Sequence, residues 1–125
     1  VKIFGIACRV DVHDPAIWGA LHAAKQRWGL PDGLAYPFFR RDHETLQTVL
    51  RQTGLPVFEI DALKLASVQH LCLSHSQLAR DKVGFSAVAE GCALAALGEG
   101  AVLAGPRLIA FSVTCACASS VEEPT

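Results

Sequence analysis

The stretch VGFSAVAEGCALAALGEG, Val83 to Gly100, constrains this chain more than any other. It reads as a short loop running into a helix that is apolar nearly all the way round, and between Lys82 and Glu99 its one charged residue is Glu90. On a helix, positions at steps of three, four and seven share a face. Ser86, Glu90, Leu94 and Leu97 therefore line one side, and Val88, Cys92 and Ala95 the other. A helix apolar on both sides packs inside a layered fold, and its small residues permit close approach. Ser86 is the expected N-cap, its hydroxyl accepting from a first-turn amide, which puts Glu90 about one turn in. Two readings of Glu90 follow: a half-exposed carboxylate that complements the helix dipole, or a buried or cleft-lining carboxylate with a raised pKa, available for acid-base work or for holding a ligand.

The rest of the chain supplies the layers. KIFGIACR, Lys2 to Arg9, reads as a buried strand. Asp14 and Pro15 mark a helix start, Ile17, Trp18, Leu21, Ala24 and Trp28 follow at helical spacing, and Gly29 closes the helix. Leu34 to Phe39 is a weaker strand, because Pro37 cannot donate to a ladder and prefers an edge or bulge. Asp42 is expected to cap a helix whose buried stripe is Leu46, Val49 and Leu50 and whose stop is Gly54. Pro56 to Ile60 is the next strand, and Asp61 caps a short helix through Leu65. Ala66 to Lys82 shows no clean period and reads as a surface connection with a short helical turn. Leu108 to Ala118 alternates as one strand, joined to Ala101–Ala104 through Gly105, Pro106 and Arg107, and so short a connection implies an antiparallel pair. Strands alternating with helices give a three-layer α/β/α fold with a mainly parallel sheet and an antiparallel C-terminal strand. Residues 1–118 form one domain and 119–125 a flexible tail.

A chain of 125 residues with 51% hydrophobic content suits a single core. The formal charge of −1 comes from interspersed acidic and basic residues, so nucleic acid and anionic membranes are unexpected partners. The apolar runs are too broken to span a bilayer, which takes roughly 20 residues, and no signal-peptide pattern precedes the first strand. Five cysteines, an odd number without a CxxC pair, fit a reducing cytoplasm. Cys115 and Cys117 share one strand face as small buried hydrophobes. His70, Cys72 and His75 invite a metal hypothesis, but no fourth ligand is evident, so neither metal nor cofactor is expected.

In α/β sheets ligands gather at the carboxyl ends of the strands. That rule selects Gly5, Ala7, Cys8 and Arg9; Arg40, Arg41 and His43; Asp61; and the loop and helix start that hold Gly84, Phe85, Ser86 and Glu90. Arginines beside an amide-rich helix start suit a ligand with carboxylates.

Three pieces resemble the family formed by CobE and the C-terminal domain of CbiG in cobalamin (vitamin B12) biosynthesis. GIACR, Gly5 to Arg9, is similar to the family's opening glycine-rich strand ending in Cys-Arg. VGFSAVAEGCAL, Val83 to Leu94, is similar to its Val-Gly, Ser-Val-Ala-Glu-like core and alanine-rich helix. Leu103 to Ala118 is similar to its terminal hairpin. Ala7 stands where the family usually has glycine, and Arg107 where it commonly has lysine. The resemblance implies a precorrin or related tetrapyrrole as ligand, with other pathway enzymes as partners. It also implies one of three roles, the blandest being a partner-binding accessory domain that supports a neighbouring enzyme. As an enzyme the domain would assist opening of the cobalt-precorrin-5A lactone, with Glu90 as base or water-orienting group, Ser86 and the first-turn amides stabilising negative charge, and Arg9 holding a carboxylate. As a binding module it would carry the intermediate, and Arg9, Arg40 and Arg41 would matter more than Glu90. A homodimer through an apolar face at Trp18 or Phe38 is also allowed.

Overall fold

The computed structural model describes residues 1–120 of the chain. In order, its elements are β1 (Lys2–Ala7), α1 (Asp14–Trp28), β2 (Gly33–Pro37), a 3-10 turn (Phe38–Arg40), α2 (Glu44–Gln52), β3 (Val57–Ile60), α3 (Ala62–Ser67), a 3-10 turn (Gln69–Leu71), α4 (Gln77–Val83), α5 (Val88–Leu97), β4 (Ala101–Leu103), β5 (Leu108–Ala110) and β6 (Val113–Ser120). The sheet runs β3-β2-β1-β6-β4, with β5 also on β6. β1, β2 and β3 are parallel, whereas β6 is antiparallel to β1, β4 and β5. The fold is the expected three-layer α/β/α, and the sheet is mixed.

Strand alternation sorts the residues of β1. Phe4 and Ile6, with Cys8 beyond them, face a core built with α1 and α2, where Ile17, Leu21, Leu46 and Leu50 meet Val113, Cys115 and Cys117. Ile3 and Ala7 face α5, α3 and Ile60. Gly5 lies under α5: a Cβ there would stand 1.9 Å from the Ala89 carbonyl oxygen and 2.8 Å from the Ala93 nitrogen. The glycine is thus required for the helix to pack on the strand at backbone distance.

Several local expectations shift. His13, not Asp14, is the N-cap of α1, and the Asp14–Pro15 pair opens the helix itself. His43, not Asp42, caps α2: its Nδ1 accepts from Leu46 N at 3.1 Å. Asp61 caps α3 as expected, accepting from Lys64 N at 2.8 Å. Gly33–Pro37 is an interior strand; Pro37 is tolerated because it is the last residue, beyond the ladder to β1. Within Ala66 to Lys82 lies α4, capped by Ser76 through Ala79 N at 3.2 Å and stopped by left-handed Gly84.

The C-terminal strands also differ from the expected pair. β4 and β5 do not pair with each other; both run along the same edge of β6. Between the Leu103–Ala118 and Leu108–Cys115 pairs, Ala104, Gly105, Pro106 and Arg107 stand opposite Ala116 and Cys117, a wide bulge. Phe111 and Ser112, at φ 54° and 64°, make the tight turn from β5 into β6 that interrupts the predicted single strand. β6 continues through Ser120, so residues 119 and 120 are strand; the remainder of the expected tail, 121–125, lies outside the described residues. Among the described residues no helix is long and apolar enough to cross a membrane. Trp18 is half-buried against the first core, and Phe38 packs edge-on against Phe39 and Phe85.

Candidate functional site

A cleft of about 370 Å³ opens at the carboxyl ends of β1 and β2. Cys8 and Arg9 reach it from the end of β1, Phe39 and Arg40 from the turn after β2, and Ser112 and Thr114 from the antiparallel start of β6. The start of α5 closes it with Ser86, Ala87, Val88, Ala89 and Glu90. Ser74, Ser76, Leu78 and Lys82 border it from the α4 region, and Arg107 and Ile109 from the bulge and β5.

Glu90 is the buried carboxylate of the two sequence readings, 1% exposed. Its Oε1 accepts from the amides of Leu73, at 3.1 Å, and Ser74, at 2.7 Å, and its Oε2 accepts from the Arg107 amide, at 3.2 Å. Three N–H donors compensate the desolvation of a buried charge. All three belong to the main chain, and they tie the 72–76 loop and the 104–107 bulge to α5.

The residues before α5 are held as firmly. The Gln69 amide side chain bonds Ala87 twice, Nε2 donating to its carbonyl at 2.9 Å and Oε1 accepting from its N–H at 3.0 Å. Ser76 N donates to the Ser86 carbonyl at 2.8 Å. The N-cap of α5 is therefore Ala87, with no side-chain cap, and Ser86 does not cap the helix. The Ser86 hydroxyl lies instead 2.6 Å from His75 Nδ1, and His75 Nε2 lies 3.1 Å from the Cys72 carbonyl oxygen. A carbonyl only accepts, so Nε2 carries the proton, Nδ1 is the acceptor and Ser86 donates.

Four cationic side chains border the cleft. Arg40 stacks over the Phe39 ring, 5.0 Å from its centroid, and donates from Nε to the Cys8 carbonyl at 2.9 Å. Arg9 is exposed and 3.7 Å from Asp11. Lys82 and Arg107 have no carboxylate partner among the described residues. Burial pushes the Cys8 thiol up to about 11, outweighing the Arg40 guanidinium that pulls it down. Cys8 is thus a poor thiolate nucleophile. Burial, reinforced by the Glu90 charge, likewise raises Cys72, to about 12.

Of the residues selected from sequence, the cleft brings together Cys8, Arg9, Arg40, Ser86 and Glu90. The others lie elsewhere. Gly5 and Ala7 sit against the α5 layer, and Gly84 ends α4. Phe85 meets Phe38, with ring centroids 6.3 Å apart. Arg41 pairs with Glu59, Nε donating to Oε1 at 2.8 Å. His43 borders a second hollow and donates from Nε2 to the Val10 carbonyl at 3.0 Å. Lys82, Arg107 and Gln69 were not selected from sequence, and His75, weighed only as a metal ligand, was not paired with Ser86. The strand-end rule points at the parallel strands, whereas these residues come from α4, the bulge and the 69–75 segment. His70, Cys72 and His75 do not converge, and no cluster of three or more metal-binding side chains exists among the described residues.

This arrangement matches known proteins closely. A crystal structure of CobE, a protein from the cobalamin (vitamin B12) biosynthetic pathway, superimposes with a TM-score of 0.88 and 28% identity over 99% of this chain and 93% of that one. The crystal structure of the cobalamin biosynthesis protein chiG from Agrobacterium tumefaciens str. C58 gives 0.79 and 32% over 98% of this chain and 100% of that one. No curated protein sequence matches the chain. The family model for the cobalamin synthesis G C-terminus matches residues 3–118, and with that coverage the chain belongs to the CbiG C-terminal/CobE family of cobalamin-biosynthesis proteins.

Proposed function

We propose that the cleft binds a tetrapyrrole precursor of the corrin ring through the carboxylates on its periphery, and that the domain serves the lactone-opening step of corrin formation. The observation that supports this most is the set of four cations, Arg9, Arg40, Lys82 and Arg107, around a cleft whose walls also include Phe39, Leu78, Val83 and Ile109. A macrocycle with acetate and propionate arms presents the same combination, apolar faces and an anionic rim. Arginine and lysine bound to carboxylates make charge-assisted hydrogen bonds, and the open cleft needs to take only one edge of such a ligand.

Glu90 enters this reading as the group that shapes the cleft. Both of its oxygens are committed to main-chain amides, a poor arrangement for a general base. That commitment supports a second reading, carriage of the intermediate without chemistry. Anaerobic spectroscopic titration with pathway intermediates, followed by mass analysis of the released pigment, separates them. Binding with a changed mass is the expected result. Binding with an unchanged mass establishes carriage, and no binding by the folded protein overturns both. Stable co-purification with another pathway enzyme but without pigment would make the domain an accessory. Arg107→Ala and Lys82→Ala should each weaken binding about tenfold.

A further inference from the structure

We infer that Ser86 and His75 form a nucleophile–base pair, Ser86 Oγ attacking the carbonyl carbon of a carboxylic ester, cyclic or open, at the mouth of the cleft. The inference deepens the lactone-opening reading by assigning its chemistry to these two residues in place of Glu90, and it rests on that reading for the identity of the ester.

Three observations meet at one point. The hydroxyl donates to the imidazole across 2.6 Å, and the far ring nitrogen is held at 3.1 Å by the Cys72 carbonyl, which fixes the tautomer that can accept the hydroxyl proton. Nucleophile, base and a third group orienting the base are the parts of an activated serine. Ser86 lines the cleft and lies just before α5, whose N-terminus has no side-chain cap and whose first residues, Val88 and Ala89, line the same cleft. Uncapped first-turn amides are where an oxyanion is stabilised. Finally, the Ser86 backbone is clamped by Ser76 N and its neighbour Ala87 by Gln69, so the hydroxyl is held in place before any ligand arrives.

The step balances without a further reagent. Ser86 Oγ bonds to the carbonyl carbon while its proton passes to His75 Nδ1. The ester C–O bond breaks, and the leaving alkoxide takes that proton. Water then attacks the acyl-serine, delivers a proton to Nδ1, and the departing Oγ recovers it. The net change is ester plus water to acid plus alcohol.

The test uses a fluorophosphonate probe, which traps an activated serine with loss of fluoride and needs no knowledge of the natural ester. Trypsin cuts after Lys82 and Arg107, and Ser86 is the sole hydroxyl side chain in the Val83–Arg107 peptide, so mass spectrometry locates the adduct. The wild-type peptide should be labelled and that of Ser86→Ala should not. His75→Ala should be labelled roughly a hundredfold more slowly. Added imidazole should restore much of that rate, because His75 is exposed and its removal leaves an accessible gap. A structural clamp would give no such rescue. An unlabelled wild-type protein, or His75→Ala labelled at the wild-type rate, overturns the pair. Failure here is distinct from failure of the ligand reading. Pigment bound with Ser86 inert removes the pair alone, whereas Ser86 labelled without pigment binding removes the corrin ligand alone.

Discussion

The two faces of the central sheet are built differently, and a carboxylate on each shows how. On the α1–α2 face, bulky side chains such as Phe4, Ile6, Leu21 and Leu50 interlock. There Glu59 accepts from Tyr36 at 2.9 Å and pairs with Arg41 at a partly exposed rim. On the α5 face a smaller cluster around Ile3, Ile60, Leu65 and Val88 is joined by a close approach of backbones, Gly5 under Ala89, and Glu90 is buried against three main-chain amides. The first face supplies cohesion through interlocked side chains. The second supplies position, and it is the one that carries the start of α5 and the cleft.

The sharpest way to break this contrast is Gly5→Ala. The added methyl meets main chain, which cannot rotate away, so the cost should reach about 3 kcal/mol or more, at the top of the usual range for overpacking. Urea unfolding would measure the loss, and ligand titration should show the cleft impaired in whatever protein remains folded. Glu90→Gln comes next. One amide oxygen can still serve Leu73 and Ser74, but the NH₂ then faces the Arg107 N–H, donor against donor, at a cost of about 1–3 kcal/mol. Hydrogen exchange should show lost protection at the Leu73, Ser74 or Arg107 amides. Full protection would deny Glu90 its fastening role.

On the opposite face Ile6→Val should cost only about 0.5–1.5 kcal/mol and leave ligand titration unchanged. A damaged cleft in that variant would mean the two faces are not independent. The smallest effect belongs to Glu59→Gln. The hydrogen-bonded Arg41 guanidinium holds the Glu59 carboxyl below its ordinary value of 4.5. The pair's contribution is therefore complete above that value and disappears as pH falls through the lower folded-state value. The melting-temperature difference between wild type and Glu59→Gln should shrink on acidification and, because the rim is wet, also shrink with salt.

What the sequence discloses follows the same division. Periodicity exposed α1, α2 and the buried α5, and alternation exposed the shared face of Cys115 and Cys117, because those signals reside in side-chain polarity. α4 has seven residues and no stripe long enough to register. Two caps fell one residue away from the expected position, His13 one before Asp14 and His43 one after Asp42. Gly5 was selected from its strand-end position as a ligand residue, but what packs on it is a helix. Glu90 was legible as an anomaly, while its partners are amides, which every residue carries and no motif advertises. Arg107 reaches the cleft through a bulge whose register is set by pairing with β6. Lys82 was visible only as the charge that bounded the apolar stretch.

A carboxylate that reads only main chain is indifferent to the lettering of the loops it fastens. Leu73, Ser74 and Arg107 could each exchange side chains without loosening Glu90, provided none becomes proline, which has no N–H to give. The two walls of the cleft are thus free to vary in character while their path stays fixed. A lysine in place of Arg107 would change the reach of that charge on an unaltered frame, and the side chains that meet a ligand could change within this architecture with little cost in folding.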